Sequence, residues 1–299
     1  MTQFDVIVLT DHRYLNDSNE PYKHNVFYED SLVLKALEAE GLIVDRKAWD
    51  DASFDWSTTK SVMFRSTWDY FDRFDEFSKW LNKVKTQTTL INSEQLIRWN
   101  IDKHYLLDLN KNGIHIPETK FLEVGTSDSL QKLHEELGWT DTVLKPCVSG
   151  AARHTYKLNS ENLEEHETIF SELIQSEAMM LQPFQHKIVS EGEISMMVFN
   201  GQYTHAILKQ AKAGDFRVQD DFGGSIYEYL PTAAEIEFAE QVVKACPEMP
   251  LYARVDVFTD NTDQLAVSEV ELIEPELWFR KHPEAANVLA KAVKEASFI

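Results

Sequence analysis

Short apolar runs alternate with segments of helical periodicity along the first hundred residues. The run over 4–9 is bounded by polar residues, which predicts a buried strand. Apolar residues recur at helical spacing over 26–40, and Gly41 is a typical residue to follow a helix. The next predicted elements are a strand over 61–65, a helix over 74–84 and a strand over 89–91. This alternation favours a parallel sheet with crossover helices.

The pattern changes towards strand pairs in the second half of the chain. Asn200-Gly201 is a strong hairpin signal and joins predicted strands over 194–199 and 203–209. A second strand pair is predicted over 251–258 and 265–273. The remaining predicted elements are helices over 102–112, 129–137 and 232–245, strands over 142–144 and 155–158, and a final helix opened by Pro283.

Composition and charge exclude several classes of protein. The 299 residues include 50 acidic and 29 basic side chains, a net charge of −21, and 43% hydrophobic residues, which excludes a largely disordered chain. The acidic balance argues against nucleic acid and anionic membranes as partners, because both attract clustered Lys and Arg. No apolar run approaches the ~20 residues of a membrane span, and the first residues do not resemble a signal peptide. We therefore expect a cytoplasmic protein.

The last strand pair carries the most informative charges. Alternate side chains on a strand share a face, so Arg254 and Asp256 point the same way, as do Glu269 and Glu271. Carboxylates on an otherwise apolar face are costly unless a cation neutralises them. Mg²⁺ prefers oxygen ligands and bridges substrate phosphates, so it is the natural candidate. The alternative is a solvated sheet edge with ordinary surface acids.

Two loops carry weaker signals for anion binding. Lys145 ends a strand and precedes the small-residue loop 149–152, where backbone N–H groups can approach phosphate oxygens. Arg217 precedes Gly223 and Gly224, and arginine offers forked donors to phosphate or carboxylate. Taken singly, an ordinary turn and an ordinary hairpin loop explain these segments better.

Other common chemistries find no support. The ten histidines form no H-E-x-x-H motif, and there is no G-x-S-x-G or Walker motif, which disfavours zinc hydrolases, serine hydrolases and P-loop enzymes. The two cysteines are too few for a disulfide framework or a cysteine-based zinc site. Cys147 is expected to be a buried core residue rather than a nucleophile.

Several motifs follow one another in a characteristic order. They are a helix with Lys103, Lys145 with its loop, Leu181-Gln-Pro-Phe184 with Gly192-Glu193, Asp215-Phe-Arg217 with the glycine pair, Arg254-x-Asp256 and Glu269-x-Glu271. The series resembles the ATP-grasp superfamily, in the branch of bacterial glutathione synthetase and the ribosomal-protein glutamate ligases. Three segments most resemble the sub-branch containing the O-ureido-serine cyclo-ligase of cycloserine biosynthesis. They are Phe64-Arg-Ser-Thr-Trp-Asp-Tyr70, Trp99-Asn-Ile-Asp-Lys103 and Glu269-Val-Glu-Leu-Ile-Glu-Pro275.

The resemblance implies an α/β ATP-grasp fold. Its units are an N-terminal parallel-sheet domain over 1–114, a small central lid over 115–187 and a C-terminal mixed α+β domain over 188–299. It also implies an ATP-dependent ligase that joins a carboxylate to an amine or similar nucleophile through an acyl phosphate, releasing ADP and phosphate. The implied cofactors are ATP and Mg²⁺, with two ions and Mn²⁺ as an alternative metal. A small amino-acid-like substrate and a homo-oligomer are further expectations.

The resemblance assigns roles to individual residues. The implied ATP-binding residues are Lys103, Lys145, Ser149, Gly150, Gln182, Pro183, Phe184 and Glu193. The implied metal ligands are Asp256, Glu269 and Glu271, the catalytic arginines are Arg217 and Arg254, and further substrate contacts are Arg153, Gly223 and Gly224. Two positions depart from the branch: Glu271 stands where Asn is common, which adds negative charge, and the phosphate loop has one glycine where relatives have several.

A substrate pocket is predicted beside the second strand of the N-terminal unit. Arg65, Ser66 and Asp69 lie at or just beyond the end of this strand, and ligands of open α/β sheets collect outside the C-terminal ends of strands. Arg65 is expected to hold a carboxylate and Asp69 an ammonium group. The alternative is a structural pair between Arg65 and Asp69.

Three functional alternatives stay open at this point. The first is a ligase, whose reaction is either a cyclisation or an intermolecular ligation. The second is a nucleotide-binding module without ligase activity, and the third is a small-molecule kinase on the same fold. We expect Asp256→Ala and Glu269→Ala to abolish ATP turnover and to leave the fold intact.

Overall fold

A parallel four-stranded sheet forms the N-terminal part of the computed structural model, which describes residues 2–150, 152–212 and 224–297. Its strand order is β2-β1-β3-β4, with all three pairings parallel, as predicted. The elements are β1 (Phe4–Thr10), α1 (Pro21–Ala39), β2 (Val44–Ala48), β3 (Thr59–Ser66), α2 (Phe74–Val84) and β4 (Thr89–Ile91). Strand β2 was not predicted, because its sequence Val-Asp-Arg-Lys-Ala has no apolar run or clear alternation.

Two short helices connect this sheet to the rest of the chain. They are α3 (Glu94–Ile101), which was not predicted, and α4 (Tyr105–Lys111), which confirms the helix predicted over 102–112 but begins three residues later. Asp102 has extended backbone angles, φ −107° and ψ 123°, which end α3. Lys103 therefore lies in the break between two helices, where its N–H donates to the carbonyl oxygen of Cys147 at 2.9 Å.

The central part is an antiparallel sheet with its own core. Its strand order is β5-β8-β6-β7. The elements are β5 (Lys120–Leu122), α5 (Leu130–Leu137), β6 (Thr142–Pro146), β7 (Tyr156–Leu158), α6 (Leu163–Leu173) and β8 (Met179–Pro183). Buried Leu130, Leu144 and Phe170 hold both helices against the sheet.

An antiparallel five-stranded sheet forms the C-terminal part, with strand order β11-β10-β9-β12-β13. The elements are α7 (His186–Glu191), β9 (Glu193–Phe199), β10 (Gln202–Gln210), β11 (Ser225–Tyr229), α8 (Ala233–Lys244), β12 (Tyr252–Thr259), β13 (Leu265–Glu271) and α9 (Ala285–Ser297). The predicted hairpin is confirmed: Asn200 and Gly201 have φ of 47° and 78°, as a type I′ turn requires. No helix of the described ranges has the length and apolar character needed to cross a bilayer.

The outer two sheets share an apolar core, and the central sheet has a core of its own and adds Met180 to a core of the C-terminal sheet. Helices α3 and α4 bury Leu96, Tyr105 and Leu109 against residues of the C-terminal sheet. Residues of α1 and β1 pack with α9 and with Met197 and Phe199 of the C-terminal sheet in a second core. The three sheets follow the order of the three predicted units, but the first and third units are joined by packing.

The free energy of unfolding is expected to depend on pH because of His205 on β10. It is 6% exposed and its Nε2 donates to the carbonyl oxygen of Leu277 at 2.8 Å. Burial lowers the pKa of His205 to about 4. The unfolded chain takes up this proton below about pH 6.5, so the stabilisation is complete above that pH and is lost as the pH falls towards 4. We expect His205→Gln to remove about 2 kcal/mol of the stability lost between about pH 7.5 and 5.

Urea unfolding at both pH values measures this effect, with His24→Gln as control, because the His24 side chain is 54% exposed. An equal loss of stability in the wild type and His205→Gln would contradict the assignment.

Candidate active site

A cavity of about 440 Å³ opens where the three sheets meet. The described acidic residues that line it are Asp72, Glu193, Asp256, Glu269, Glu271, Glu274 and Glu276. The described basic residues that line it are Arg13, Lys103, Lys145, Lys209 and Arg254. The described lining therefore has seven carboxyl groups against five basic groups, a formal charge of 5 − 7 = −2 when all are ionised.

Asp256 on β12 is the centre of a buried ionic network. It is 2% exposed, and its carboxylate accepts from Ser195 Oγ at 2.6 Å, from Lys209 Nζ at 3.0 Å and from Arg254 at 2.8 Å. Burial alone would raise its pKa, but Arg254 and Lys209 hold the pKa of Asp256 well below its usual range. Lys209 also lies 2.6 Å from Glu193 Oε1, so it joins two carboxylates.

Glu269 on β13 faces two lysines of different parts of the chain. Lys103 Nζ lies 2.8 Å from Glu269 Oε1 and donates to the carbonyl oxygen of Ser149 at 2.9 Å. Burial would raise the pKa of Glu269, but the charges of Lys103 and Lys145 hold it below the usual range. Burial lowers the pKa of Lys145, the lysine at the end of β6. The two lysines therefore present their charges to the same wall of the cavity.

The carboxylates near Glu271 exceed the local positive charge. Arg254 pairs with both Asp256 and Glu271. Burial nevertheless raises the pKa of Glu271 well above its usual range, and it raises the pKa of Glu274 to about 7. A divalent cation would relieve this repulsion, and carboxylate oxygens are the donors that Mg²⁺ prefers. Asp256, Glu269 and Glu271 therefore fit a metal ion by charge and by donor type.

The opposite end of the cavity is more apolar. Its lining there includes Val143, Pro183, Phe184 and Ile188, with Gln182 between them. Gln182 is held by a hydrogen bond from Nε2 to Thr119 Oγ1 at 2.8 Å, and Lys157 Nζ lies 3.7 Å from the centre of the Phe184 ring. We call these lining residues the apolar slot, and apolar side chains beside a few fixed polar groups are suited to a heterocycle.

Described residues that follow β6 form one side of the cavity. Ser149 and Gly150 line it. A side chain at Gly150 would come within 2.6 Å of the Phe71 ring, so glycine allows this close approach. Arg153 turns away and makes a forked pair with Glu177 at 2.8 and 3.0 Å.

Arg217 and Gly223 lie outside the described residues. Gly224 is described, and it does not line the cavity. Their predicted roles stay predictions.

The predicted N-terminal substrate residues have other partners and do not line the cavity. Arg65 is 4% exposed, pairs with Asp30 at 3.3 Å and donates to the carbonyl oxygen of Pro275 at 2.9 Å. Ser66 Oγ bonds to Asp30 at 2.9 Å. Asp69 accepts from Arg73 at 2.7 Å, so the alternative of an Arg65–Asp69 pair is wrong. These contacts make Arg65 and Ser66 part of a buried network below the cavity wall.

Several residues that bond to the cavity carboxylates were missed from the sequence. Lys209, Ser195 and Ser268 bond to Asp256 or Glu193, and the register of β9 against β10 places Lys209 opposite Glu193. Counting outward from the Asn200-Gly201 turn would have paired Glu193 with Leu208, because the register shifts by one residue between Tyr203 and His205. Ser268 joins Glu269 at the cavity because the register shifts beside Asp256, a local bulge that no sequence pattern announces.

Aromatic side chains form the N-terminal wall of the cavity. Tyr14, Tyr22 and Trp68 all line it, and the Tyr14 and Trp68 rings meet edge to face at 5.3 Å. No helix or strand was predicted for their segments, so no periodicity pointed to them, and Tyr22 lies in the first turn of α1.

The arrangement of lysines, carboxylates and apolar slot agrees with the comparisons to known proteins. Residues 101–277, more than half of the chain, match the family described as RimK-like ATP-grasp domain. The chain belongs to the RimK-like ATP-grasp family. Residues 6–92 match the family described as D-cycloserine synthetase DcsG, N-terminal domain.

The similarity to several named relatives covers nearly the whole of this ATP-grasp chain. It is 29% identical over 286 residues to "Cycloserine biosynthesis protein DcsG" of Streptomyces lavendulae, covering 90% of this chain and 93% of that protein. The crystal structure of D-cycloserine synthetase DcsG matches with a TM-score of 0.86 and 26% identity, covering 98% and 99% of the two chains. D-alanine–D-alanine ligase from Bacillus anthracis shares the fold, with a TM-score of 0.64, 15% identity and coverage of 98% and 97%.

These matches confirm the predicted α/β ATP-grasp fold and its likeness to the cycloserine branch. The protein is an ATP-grasp ligase, and its family uses ATP together with a divalent metal ion.

Proposed function

We propose that this ligase activates a carboxylate of a small amino-acid-like substrate as an acyl phosphate and joins it to an amine or similar nucleophile. The proposal rests on one observation: the same cavity brings together three basic side chains, three carboxylates and an apolar slot. The basic side chains are Lys103, Lys145 and Arg254. A carboxylate is a poor electrophile until its oxygen carries a phosphoryl group. The products are the ligated compound, ADP and phosphate.

The nucleotide is proposed to lie along the cavity from the apolar slot to the lysines. Adenine occupies the slot of Gln182, Pro183 and Phe184, and Glu193 is assigned to the ribose hydroxyls. Lys103 and Lys145 neutralise the phosphates, with Ser149 and Gly150 covering them. Since phosphoryl transfer depends mainly on positioning and electrostatics, two fixed lysines at one wall supply the expected chemistry.

The metal ligands are proposed to be Asp256, Glu269 and Glu271, which would hold two Mg²⁺ ions. When bound, such ions neutralise phosphate charge and bridge its oxygens. Lys209 and Ser195 keep Asp256 ionised and fixed in position. Because Arg254 already pairs with two of the carboxylates, it is held where it can also donate to a substrate carboxylate or to the oxyanion of the tetrahedral intermediate.

The substrate is proposed to occupy the aromatic end of the cavity, beside Arg13, Tyr14 and Trp68. Similarity to D-cycloserine synthetase supports an intramolecular reaction, in which the nucleophile and the activated carboxylate belong to the same molecule. The aromatic side chains of this wall would keep water away from the acyl phosphate and so protect it from hydrolysis.

Phosphate release from Mg·ATP tests the proposal, with pooled amino acids, ureido and hydroxamate analogues, and dipeptides as candidate substrates. We expect one pool to stimulate release, and the product mass then identifies the reaction. Loss of water from one substrate means ring closure, and condensation of two means intermolecular ligation. A stable phosphorylated product would instead indicate a kinase, and absence of Mg·ADP binding would overturn the nucleotide site.

A further inference from the structure

A cluster of three different ligand types lies just outside the cavity. Asp102, His104 and Cys147 each offer one ligand atom, and these atoms all lie within 4.8 Å of one another. None of the three side chains lines the cavity. Two of them come from the break between α3 and α4, and the third follows the end of β6. The cluster therefore joins two parts of the chain that each carry a cavity lysine.

The histidine is held as a metal-binding histidine usually is. Its Nδ1 lies 2.6 Å from Asp102 Oδ1, and its Nε2 lies 3.2 Å from Glu123 Oε1. The ring stacks on Phe121 with 4.3 Å between ring centres. A bound ion would replace the proton between Nδ1 and Asp102, while Glu123 would hold the Nε2–H and the orientation of the ring, which strengthens binding of a metal.

The cysteine is held by its backbone on both sides. Its N–H donates to the carbonyl oxygen of Ala178 at 2.8 Å, and its carbonyl oxygen accepts from the N–H of Lys103 at 2.9 Å. The residue is 1% exposed, and burial raises the pKa of the thiol to about 12. The Asp102 side chain is 43% exposed and the His104 side chain 29%, which gives an ion access from their side. Coordination would release the thiol proton to solvent.

We propose that Asp102, His104 and Cys147 form a binding site for Zn²⁺, separate from the metal ions of the nucleotide. Sulfur, nitrogen and oxygen donors together suit a borderline ion and not Mg²⁺, which prefers oxygen. Three protein ligands leave a fourth position for water. Bound Zn²⁺ would tie Lys103, which stands between two of the ligands, to the strand that carries Lys145. The spacing of the two phosphate-binding lysines would then depend on this ion.

Cobalt(II) binding to the full-length, chelator-treated protein tests the proposal. A cobalt–thiolate bond gives a near-ultraviolet charge-transfer absorption, so the band reports directly on a cysteine ligand. We expect one equivalent of Co²⁺ to produce the band, Zn²⁺ to abolish it and excess Mg²⁺ to leave it unchanged. Cys246→Ser is the matched control, since Cys246 is the other cysteine of the chain and is also buried. It should keep the band, and Cys147→Ser should lose it.

A surface variant covers the case in which Cys147→Ser does not fold. The Glu123 side chain is 74% exposed, and Glu123→Ala should weaken Co²⁺ binding roughly 10- to 100-fold without loss of the folded circular dichroism spectrum. The proposal is overturned by a wild type without the band at saturating Co²⁺, by a band that survives Cys147→Ser, or by unchanged affinity in Glu123→Ala. None of these readouts depends on ligase turnover, so they stand apart from the proposed function.

Discussion

Glu269→Gln is expected to lower ATP turnover by at least about a hundredfold while leaving the protein folded. The substitution keeps the size of the side chain and removes the charge that pairs with Lys103 at 2.8 Å. Metal-assisted stabilisation of a transferring phosphoryl group supplies several kcal/mol, and each ~1.4 kcal/mol corresponds to a factor of ten in rate. The amide oxygen of the substituted side chain can still accept from Lys103, so this buried lysine keeps a hydrogen bond and the variant is expected to fold.

Steady-state phosphate release at saturating Mg·ATP, together with a thermal melt, measures both parts of this prediction. Glu228→Gln is the matched control, because Glu228 is an exposed residue on β11 of the same sheet and does not line the cavity. Turnover in Glu269→Gln within a few-fold of the control would contradict the metal assignment.

Asp256→Ala is expected to abolish turnover and also to destabilise the protein by about 3–5 kcal/mol. The sequence suggested that such a substitution would leave the fold intact, whereas the contacts of Asp256 lead us to expect a loss of stability. Asp256 is 2% exposed and is the partner of Arg254 and Lys209, which are also buried. Removing it takes one of two described carboxylate partners from each of these buried cations, of which Lys209 keeps Glu193 and Arg254 keeps Glu271. Breaking buried ion pairs costs far more than the loss of an exposed pair.

Urea unfolding at neutral pH measures the cost, with Ser195→Ala as the comparison. Ser195 is a neutral partner of the same carboxylate, at 2.6 Å, so its removal should cost only about 1 kcal/mol. If Asp256→Ala were no less stable than Ser195→Ala, the buried network would not be the stabilising unit described above.

The carboxylate strands could be predicted because their information is local. Alternation along one strand put Arg254 beside Asp256, and the structure pairs that strand with its neighbour so that Asp256 faces Glu269. The parallel N-terminal sheet and the Asn200-Gly201 hairpin were likewise predictable, since short-range patterns determine them.

The remainder of the site depends on contacts between distant segments. Lys209 and the aromatic wall acquire their positions from sheet order and packing, which periodicity does not encode. Arg65 shows the opposite error. Its place at the end of a strand suggested a contact with a ligand, but its side chain is buried and pairs with Asp30 of α1. Lys103 was assigned to a helix because no local signal marked the extended residue Asp102.

The packing of α9 against α1 has a consequence for the synthesis of the protein. Buried residues of α9, among them Leu289 and Val293, share a core with Val6, Val8 and Val33 of the N-terminal part. During translation the N-terminal sheet therefore keeps an apolar face uncovered until residues 285–297 leave the ribosome. A nascent chain halted before that point is expected to be held by chaperones rather than to fold in steps from its beginning.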